Sequence, residues 1–257
     1  MSIHPTAVID SRAEIHPEAE IGPYVVVAGP VKIGRGTRVM PHATLMGHTE
    51  IGEENEIHPG VVLGDAPQDT AYQGEVSYLK IGSRNIIREY VQINRGTKPG
   101  SSTVIGDQNF LMAGAHVGHN CSLGNQIVMV NGALLGGYVE VSDQVFISAH
   151  CLVHQFVRVG TLSLMRGLSG TSRDVPPYSI LDWQHTVRGV NMVGLKRAGF
   201  DGKRIREIRE AFRMLFRKGR NLSLAVKEVE EKSELSADVV ALLEFIKSSK
   251  RGVCLGG

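Results

Sequence analysis

The sequence predicts an all-β solenoid followed by an α-helical tail. Three observations carry this. Ile, Leu, Val or Met fills every sixth position from Ile3 to Met165, and only Asp69, Glu75 and Pro99 break the series. A small residue recurs two places before that aliphatic, as at Ala7, Ala13, Ala19, Ala43, Ala115 and Ala133. Beyond residue 191 the period changes, and Ile205, Ile208, Phe212, Leu215 and Phe216 fall on one helical face. A period of six is neither the roughly 3.6 of a helix nor the two of a strand, and it marks a repeat architecture.

Each six-residue unit supplies one short strand and one bend. Three units make a triangular coil of 18 residues, so each aliphatic stacks on its equivalent one coil away. The small residue also points inward, because a narrow prism close-packs only with small side chains there. Gly often follows the aliphatic, as at Gly22, Gly34, Gly52, Gly82, Gly106, Gly118, Gly124, Gly136 and Gly160. That placement predicts bends with unusual backbone angles.

The solenoid is expected over residues 1–190 and the helical domain over 191–257. Pro176 and Pro177, within Asp174–Tyr178, should end strand pairing near residue 180. In the tail, Asp201 is the expected N-cap of one helix. Ser236 precedes another through Val239, Leu242, Leu243 and Ile246. Such helices would cover the open end of the solenoid. Two stretches leave the register, about 65–79 and 96–103. Loops that bulge from a rigid scaffold often carry function.

Composition narrows the class. A net charge of +2 over 257 residues leaves no nucleic-acid footprint. Cys121, Cys151 and Cys254 lack metal-type spacing, and the first two fall on the small inward register, which reads as core packing. No apolar run approaches the length of a membrane span. The hexads begin at Ile3, so no signal peptide is expected, and a reducing cytoplasm fits the cysteines.

The chemical residues cluster. Ala115-His116-Val117-Gly118-His119-Asn120-Cys121 sets two histidines around an inward Val117 and sends both to the outer surface. Histidine suits proton transfer near neutral pH, although two solvated surface residues would leave the same pattern. His4, His16 and His58 each precede Pro and read as bend residues. His150 and His154 are open to either reading.

Several motifs then occur in order. They are Gln68-Asp69, Asn94-Arg95-Gly96-Thr97, Ala115 to His119, Val153-His154-Gln155-Phe156, Asp174 to Tyr178, Gly189-Val190-Asn191 and Gly194-Leu195-Lys196-Arg197. Over nearly the whole chain this resembles the UDP-N-acetylglucosamine 3-O-acyltransferases of lipid A biosynthesis. The related N-acyltransferases carry an extra N-terminal uridine-binding domain, for which a hexad start at Ile3 leaves no room. The resemblance implies a left-handed coil, an exception to the right-handed crossover rule. It implies a homotrimer with clefts between solenoids, and transfer of an (R)-3-hydroxyacyl chain from acyl carrier protein to the glucosamine 3-hydroxyl.

The resemblance also assigns roles. His119 matches the general base, and the N–H of Gly137 matches the oxyanion donor. Gln68, Asp69, His116 and Gln155 match sugar-side contacts, and His154 lies near the donor arm. Asn191 and Arg197 match nucleotide contacts, where a guanidinium suits phosphate oxygens. Met165, Arg166 and Gly167 match the acyl-chain ruler. Gly167 leaves space and Arg166 could fold over it, which points to a chain of about 12–16 carbons held by apolar burial. No metal or redox cofactor is implied; the acyl-loaded carrier is a co-substrate.

The chain departs from that pattern at four positions. Asn120 stands where Asp is usual, Tyr138 where His is frequent, Ala71 where Lys is common, and Ala198 where a second Arg occurs. An amide cannot supply the charge of a carboxylate, so His119 should be held by a backbone or amide oxygen. Asn120→Asp is then expected to leave activity similar or raise it.

The tail carries Arg206, Arg209, Arg213, Arg217 and Arg220 on one face, interspersed with Glu207 and Glu210. Such a stripe would steer an acidic carrier protein. Three other readings use the same scaffold: an acetyl coenzyme A-dependent sugar acetyltransferase, a carbonic anhydrase-like hydratase with zinc shared by His116, His119 and a neighbour's His150, and a non-catalytic solenoid.

Overall fold

The computed structural model describes residues 2–256 apart from 218, 220 and 233. The hexads, joined by three strands from the end of the chain, form three sheets of twelve, nine and eight strands that make the faces of a left-handed prism. Pairing within the solenoid is parallel, as in Phe110 with Val128, Leu134 with Leu152, and Ser122 with Glu140. The position-six aliphatics are the core: Leu45, Ile57, Leu111, Met129, Leu135 and Ile147 are fully buried. Ala19, Ala43, Ala115, Ala133, Cys121 and Cys151 are buried beside them, and the cysteines are free thiols. Ile3, Ile9, Ile15, Ala7 and Ala13, in the first coil, are only partly buried.

The register breaks are loops, and the coil closes beneath them. Asn85 donates its backbone N–H to the side-chain oxygen of Asn55, 30 residues earlier, at 2.9 Å. Asn109 does the same to Asn85, 24 residues earlier, at 2.8 Å. These buried amides occupy the small inward position. Each satisfies the next coil's backbone, and so they pin the register across both insertions.

The glycine expectation needs correction. The left-handed backbone position lies three residues after the aliphatic, at Tyr24, His42, Tyr90, Asn120, Tyr138 and Phe156 among others. The Gly directly after the aliphatic serves close approach instead. A Cβ on Gly34 would lie 2.5 Å from the Gly52 carbonyl oxygen, and one on Gly106 would lie 2.5 Å from that of Gly124. Coil-to-coil contact, not backbone angle, excludes a side chain there.

The proline pair does not end the sheet at once. Ser179–Asp182 follows it and pairs in parallel with Leu164 and Met165. The chain then reverses into Thr186–Val190, which pairs antiparallel. Leu255–Gly256 returns from the tail to pair with Thr186 and Val187. The sheet edge is therefore covered partly by strands, where helices alone were expected.

The tail has helices α1 (Met192–Arg197), α2 (Gly202–Leu215), α3 (Leu222–Glu230) and α4 (Ala237–Lys247). Helices α2 and α4 match the predicted faces. Asp201 caps α2 by accepting the N–H groups of Lys203 and Arg204 at 2.8 and 2.9 Å. Ser236 sits at the start of α4, but its hydroxyl makes no cap bond. Arg158 ties the last coil to α4. It pairs with buried Asp174 at 3.0 Å, and its guanidinium lies 4.4 Å from the centre of the Phe245 ring. No helix among the described residues is long and apolar enough to cross a membrane.

Candidate active site

The coil repeat sets equivalent residues in lines down each face. His116, Leu134, Leu152 and Gly170 form one line, paired in register. His119, Gly137 and Gln155 form the line at the adjoining corner. Asn120, Tyr138 and Phe156 follow, with φ of 60°, 59° and 64°. Neighbouring parallel strands lie about 4.8 Å apart, so a side chain on one coil reaches the backbone of the next. A cleft of about 670 Å³ opens over the first two lines and includes Gln68, Asn94, His154, Thr171 and His185.

His119 is the most enclosed of its titratable groups, at 8% exposed. It points out of the prism, but the two inserted loops cover it. Its Nδ1 lies 2.8 Å from Thr97 Oγ1 and 3.1 Å from Asn120 Oδ1. Its Nε2 faces Asp69, with Oδ2 at 3.7 Å. The expectation of an amide oxygen at His119 is met by Asn120, and Thr97 adds a hydroxyl. The Tyr138 ring stands perpendicular to the imidazole, 5.4 Å between centroids, and stacks on Phe156 at 4.9 Å. It walls the site from behind.

Gly137 lies against that imidazole. A Cβ here would come within 2.5 Å of His119 Nε2. Its carbonyl accepts from Phe156, while its N–H meets no acceptor among the described residues and remains free beside the ring. His116 lines the same cleft. Burial, and then the charge of His119, lowers its pKa and favours its neutral form.

The first loop is held from outside the cleft. Arg95 donates to the Gly64 carbonyl and to the Tyr72 hydroxyl, both at 2.8 Å. Asp69 accepts from the N–H of Ala71 at 2.9 Å, which closes the turn that presents it. Buried Asn94 donates to the Ala66 carbonyl at 2.8 Å, yet its side-chain oxygen has no partner among the described residues. A buried acceptor of this kind needs a donor, and one on a bound substrate would serve.

Gln68, His116, His119, Gly137, His154 and Gln155 therefore share one cleft, with Asp69 beside it. Other expected site residues do not join them. Asn191 is 5% exposed and its amide is used internally: Oδ1 caps α1 at the N–H of Gly194, and Nδ2 donates to the Leu162 carbonyl. Its side chain serves as a helix cap within this chain. Arg197 is exposed on the last turn of α1, away from this chain's cleft. Met165 is fully buried in the prism, so it cannot line an outer groove. Arg166 pairs with Asp182 at 3.0 Å and does not fold over Gly167. Gly167 does leave room, since a Cβ there would meet only the Ala149 carbonyl oxygen, at 3.6 Å.

The sequence reading missed an apolar track. Leu134 and Leu152 point outward into the cleft, 41% and 55% exposed, and Gly170 extends their line. The signal was present: both occupy the outward position that Ser122, Glu140 and Arg158 hold on the third face. Thr171 and His185 were also missed: Thr171 continues the line of Val117, Leu135 and Val153 as a polar residue, and the terminal hairpin brings in His185. In the tail, Arg206, Arg209, Arg213 and Arg217 are exposed; Arg220 lies outside the described residues. Arg213 and Arg217 join Val187, Arg188, Phe212 and Phe216 around a second cavity of about 460 Å³.

Comparison with known proteins shows the family and the fold. The family described as Udp N-acetylglucosamine O-acyltransferase, Domain 2, matches residues 174–254, and the bacterial transferase hexapeptide family matches 30–65. A Thermodesulfovibrio yellowstonii acyl-[acyl-carrier-protein]–UDP-N-acetylglucosamine O-acyltransferase is 43% identical over 98% of this chain and 98% of its own length. This chain belongs to the UDP-N-acetylglucosamine O-acyltransferase family. A Syntrophobacter fumaroxidans acyltransferase of the same name is also 43% identical, over 98% of this chain and 99% of its own. The solved Francisella novicida UDP-N-acetylglucosamine acyltransferase superposes with a TM-score of 0.94 at 35% identity, over 99% of this chain and 94% of that one. The Arabidopsis acyltransferase gives 0.87 at 32%, over 98% and 99%.

Proposed function

We infer that this chain transfers an (R)-3-hydroxyacyl group from acyl carrier protein to the glucosamine 3-hydroxyl of UDP-N-acetylglucosamine. The observation that carries the chemistry is the pair of free groups one coil apart: Nε2 of His119 and the N–H of Gly137. Nε2 removes the proton from the sugar hydroxyl as its oxygen attacks the thioester carbonyl. The tetrahedral oxyanion accepts a hydrogen bond from Gly137, a contact typically worth about 3–4 kcal/mol. Collapse of the intermediate breaks the C–S bond, and the imidazolium returns its proton to the departing thiolate. Nothing is oxidised or reduced, and the protons balance between the sugar hydroxyl, His119 and the departing thiol.

Binding follows from the walls of the cleft. Gln68, Asp69, His116 and Gln155 offer polar contacts to the sugar, and His154 lies towards the donor side. Leu134, Leu152 and Gly170 offer an apolar path for the acyl chain. Ile86 and Phe146, each 37% exposed, lie on one outward line of the twelve-stranded sheet with Phe110, Val128 and Leu164. That stripe supports a homotrimer in which a neighbour covers it and closes the cleft. Arg197 would then reach a ligand held by an adjoining chain. The arginines of α2 suit an acidic carrier protein, and a cytoplasmic site follows from that donor.

The test is an assay with UDP-N-acetylglucosamine and its 3-amino analogue against acyl carrier proteins of increasing chain length. Transfer of 3-hydroxyacyl chains of about 12–16 carbons to the hydroxyl acceptor is expected, since each buried methylene adds about 0.8 kcal/mol. Turnover of acetyl donors alone would contradict the reading.

A further inference from the structure

We propose that Thr97 is a positioning residue for the general base, and that with Asn120 it holds His119 as the neutral tautomer protonated on Nδ1. The proposal rests on the reading of His119 as the base. The backbone N–H of Thr97 lies 2.9 Å from Asn120 Oδ1. A main-chain N–H can only donate, so the oxygen of the Asn120 amide, not its NH₂ group, faces it. That same oxygen lies 3.1 Å from His119 Nδ1. An acceptor at that distance calls for a proton on Nδ1. The Thr97 hydroxyl, 2.8 Å from the same nitrogen, then accepts as well.

Both members of the clasp are themselves fixed. The N–H of Asn120 donates to Thr103 Oγ1 at 2.8 Å, and its φ of 60° suits Asn. The loop that carries Thr97 is closed by Ser101, whose hydroxyl donates to the Lys98 carbonyl at 2.7 Å. The N–H of Gly96 donates to the Tyr78 carbonyl at 3.2 Å. Thr97 itself is buried. This insertion therefore serves the chemistry directly, because it delivers a donor to Asn120 and an acceptor to His119 together.

The other ring nitrogen has no competing acceptor among the described residues. Asp69 Oδ2 stands 3.7 Å from Nε2, beyond hydrogen-bond reach. The charged or titratable groups facing the imidazole are Asp69 from the first loop, His116 from the same coil and Tyr138 from the next. Asp69 is the nearest carboxylate and attracts the imidazolium once it forms. In this chain two neutral acceptors orient the ring, and the charge comes from the opposite side.

The experiment is a two-bond proton–nitrogen correlation on the full chain labelled with [¹⁵N]histidine, with His119 assigned by His119→Gln. The native ring is expected to carry its proton on Nδ1. Thr97→Val keeps the shape, and it should mix the tautomers and lower kcat by about tenfold, the scale of one lost hydrogen bond. It should also shift the acidic limb of the kcat/KM profile to lower pH and leave KM for the sugar nucleotide within about twofold. Thr97→Ser restores both readouts. An Nε2-protonated native ring overturns the proposal, and so does Thr97→Val with native tautomer, kcat and pH profile. The native tautomer is read without Thr97→Val, so misfolding of that variant does not shelter the idea. If His119→Ala spares turnover, the general-base reading falls instead.

Discussion

Gly137 and His119 hold the same position one coil apart, and a Cβ on residue 137 would lie 2.5 Å from Nε2 of the imidazole. The two groups proposed for the chemistry are thus neighbours because the coil repeats, not because they are near in sequence. Gly137→Ala should displace the ring. A misplacement of about 1 Å can cost about 10²-fold in kcat. The variant should keep its fold, since the added methyl meets a side chain and not the packed backbone. Steady-state kinetics with a thermal melt checks both; native kcat would show that the ring has room to spare.

The acyl track makes its own prediction. Gly170 continues the line of Leu134 and Leu152, whereas Gly167 lies at a corner and Met165 is in the core. Gly170→Met should block the far end of the track and move the preferred donor to shorter chains. Gly167→Met should have the smaller effect. Competition between donors of different lengths decides, and the reverse order would place the ruler at the corner.

Arg213 and Arg217 border the apolar cavity made by Val187, Phe212 and Phe216. Charge reversal at both should raise KM for acyl carrier protein and leave KM for the sugar nucleotide unchanged. The donor effect should weaken with added salt, because exposed charges are screened over about 10 Å at moderate ionic strength. Equal effects on both substrates would point to a folding defect.

Buried acids set the alkaline limit. Burial pushes Cys121 from 9.0 to about 12, Cys254 from 9.0 to about 11 and Tyr178 from 10.0 to about 12. A raised folded pKa means that the native state holds these protons more tightly than the unfolded chain. Their contribution is fully present below about pH 9 and is lost as pH rises from there towards 12. The midpoint of thermal unfolding should therefore fall steadily above that pH. A flat profile would contradict the assigned burial.

Legibility in the sequence followed the range of the forces involved. The solenoid was readable because one inward residue repeats every six, from Ile3 to Met165, and burial enforces it. The loops were readable as failures of that repeat. The His116–His119 pair stood out by chemistry. The contacts of Thr97 with His119 and of Asp69 with His119 were not readable, because inserted loops make them across 22 and more residues. The glycine rule was misassigned because close approach between coils leaves the same mark as a bend. Helix α1 is too short to show a periodic face, and so the cap that Asn191 gives it was not legible.

The most direct test is the kcat of His119→Ala with saturating UDP-N-acetylglucosamine and acyl carrier protein donor. Loss of a general base lowers turnover by about 10²–10⁴-fold, and sugar nucleotide binding by calorimetry should persist. Turnover within a few-fold of native would show that another group takes the proton.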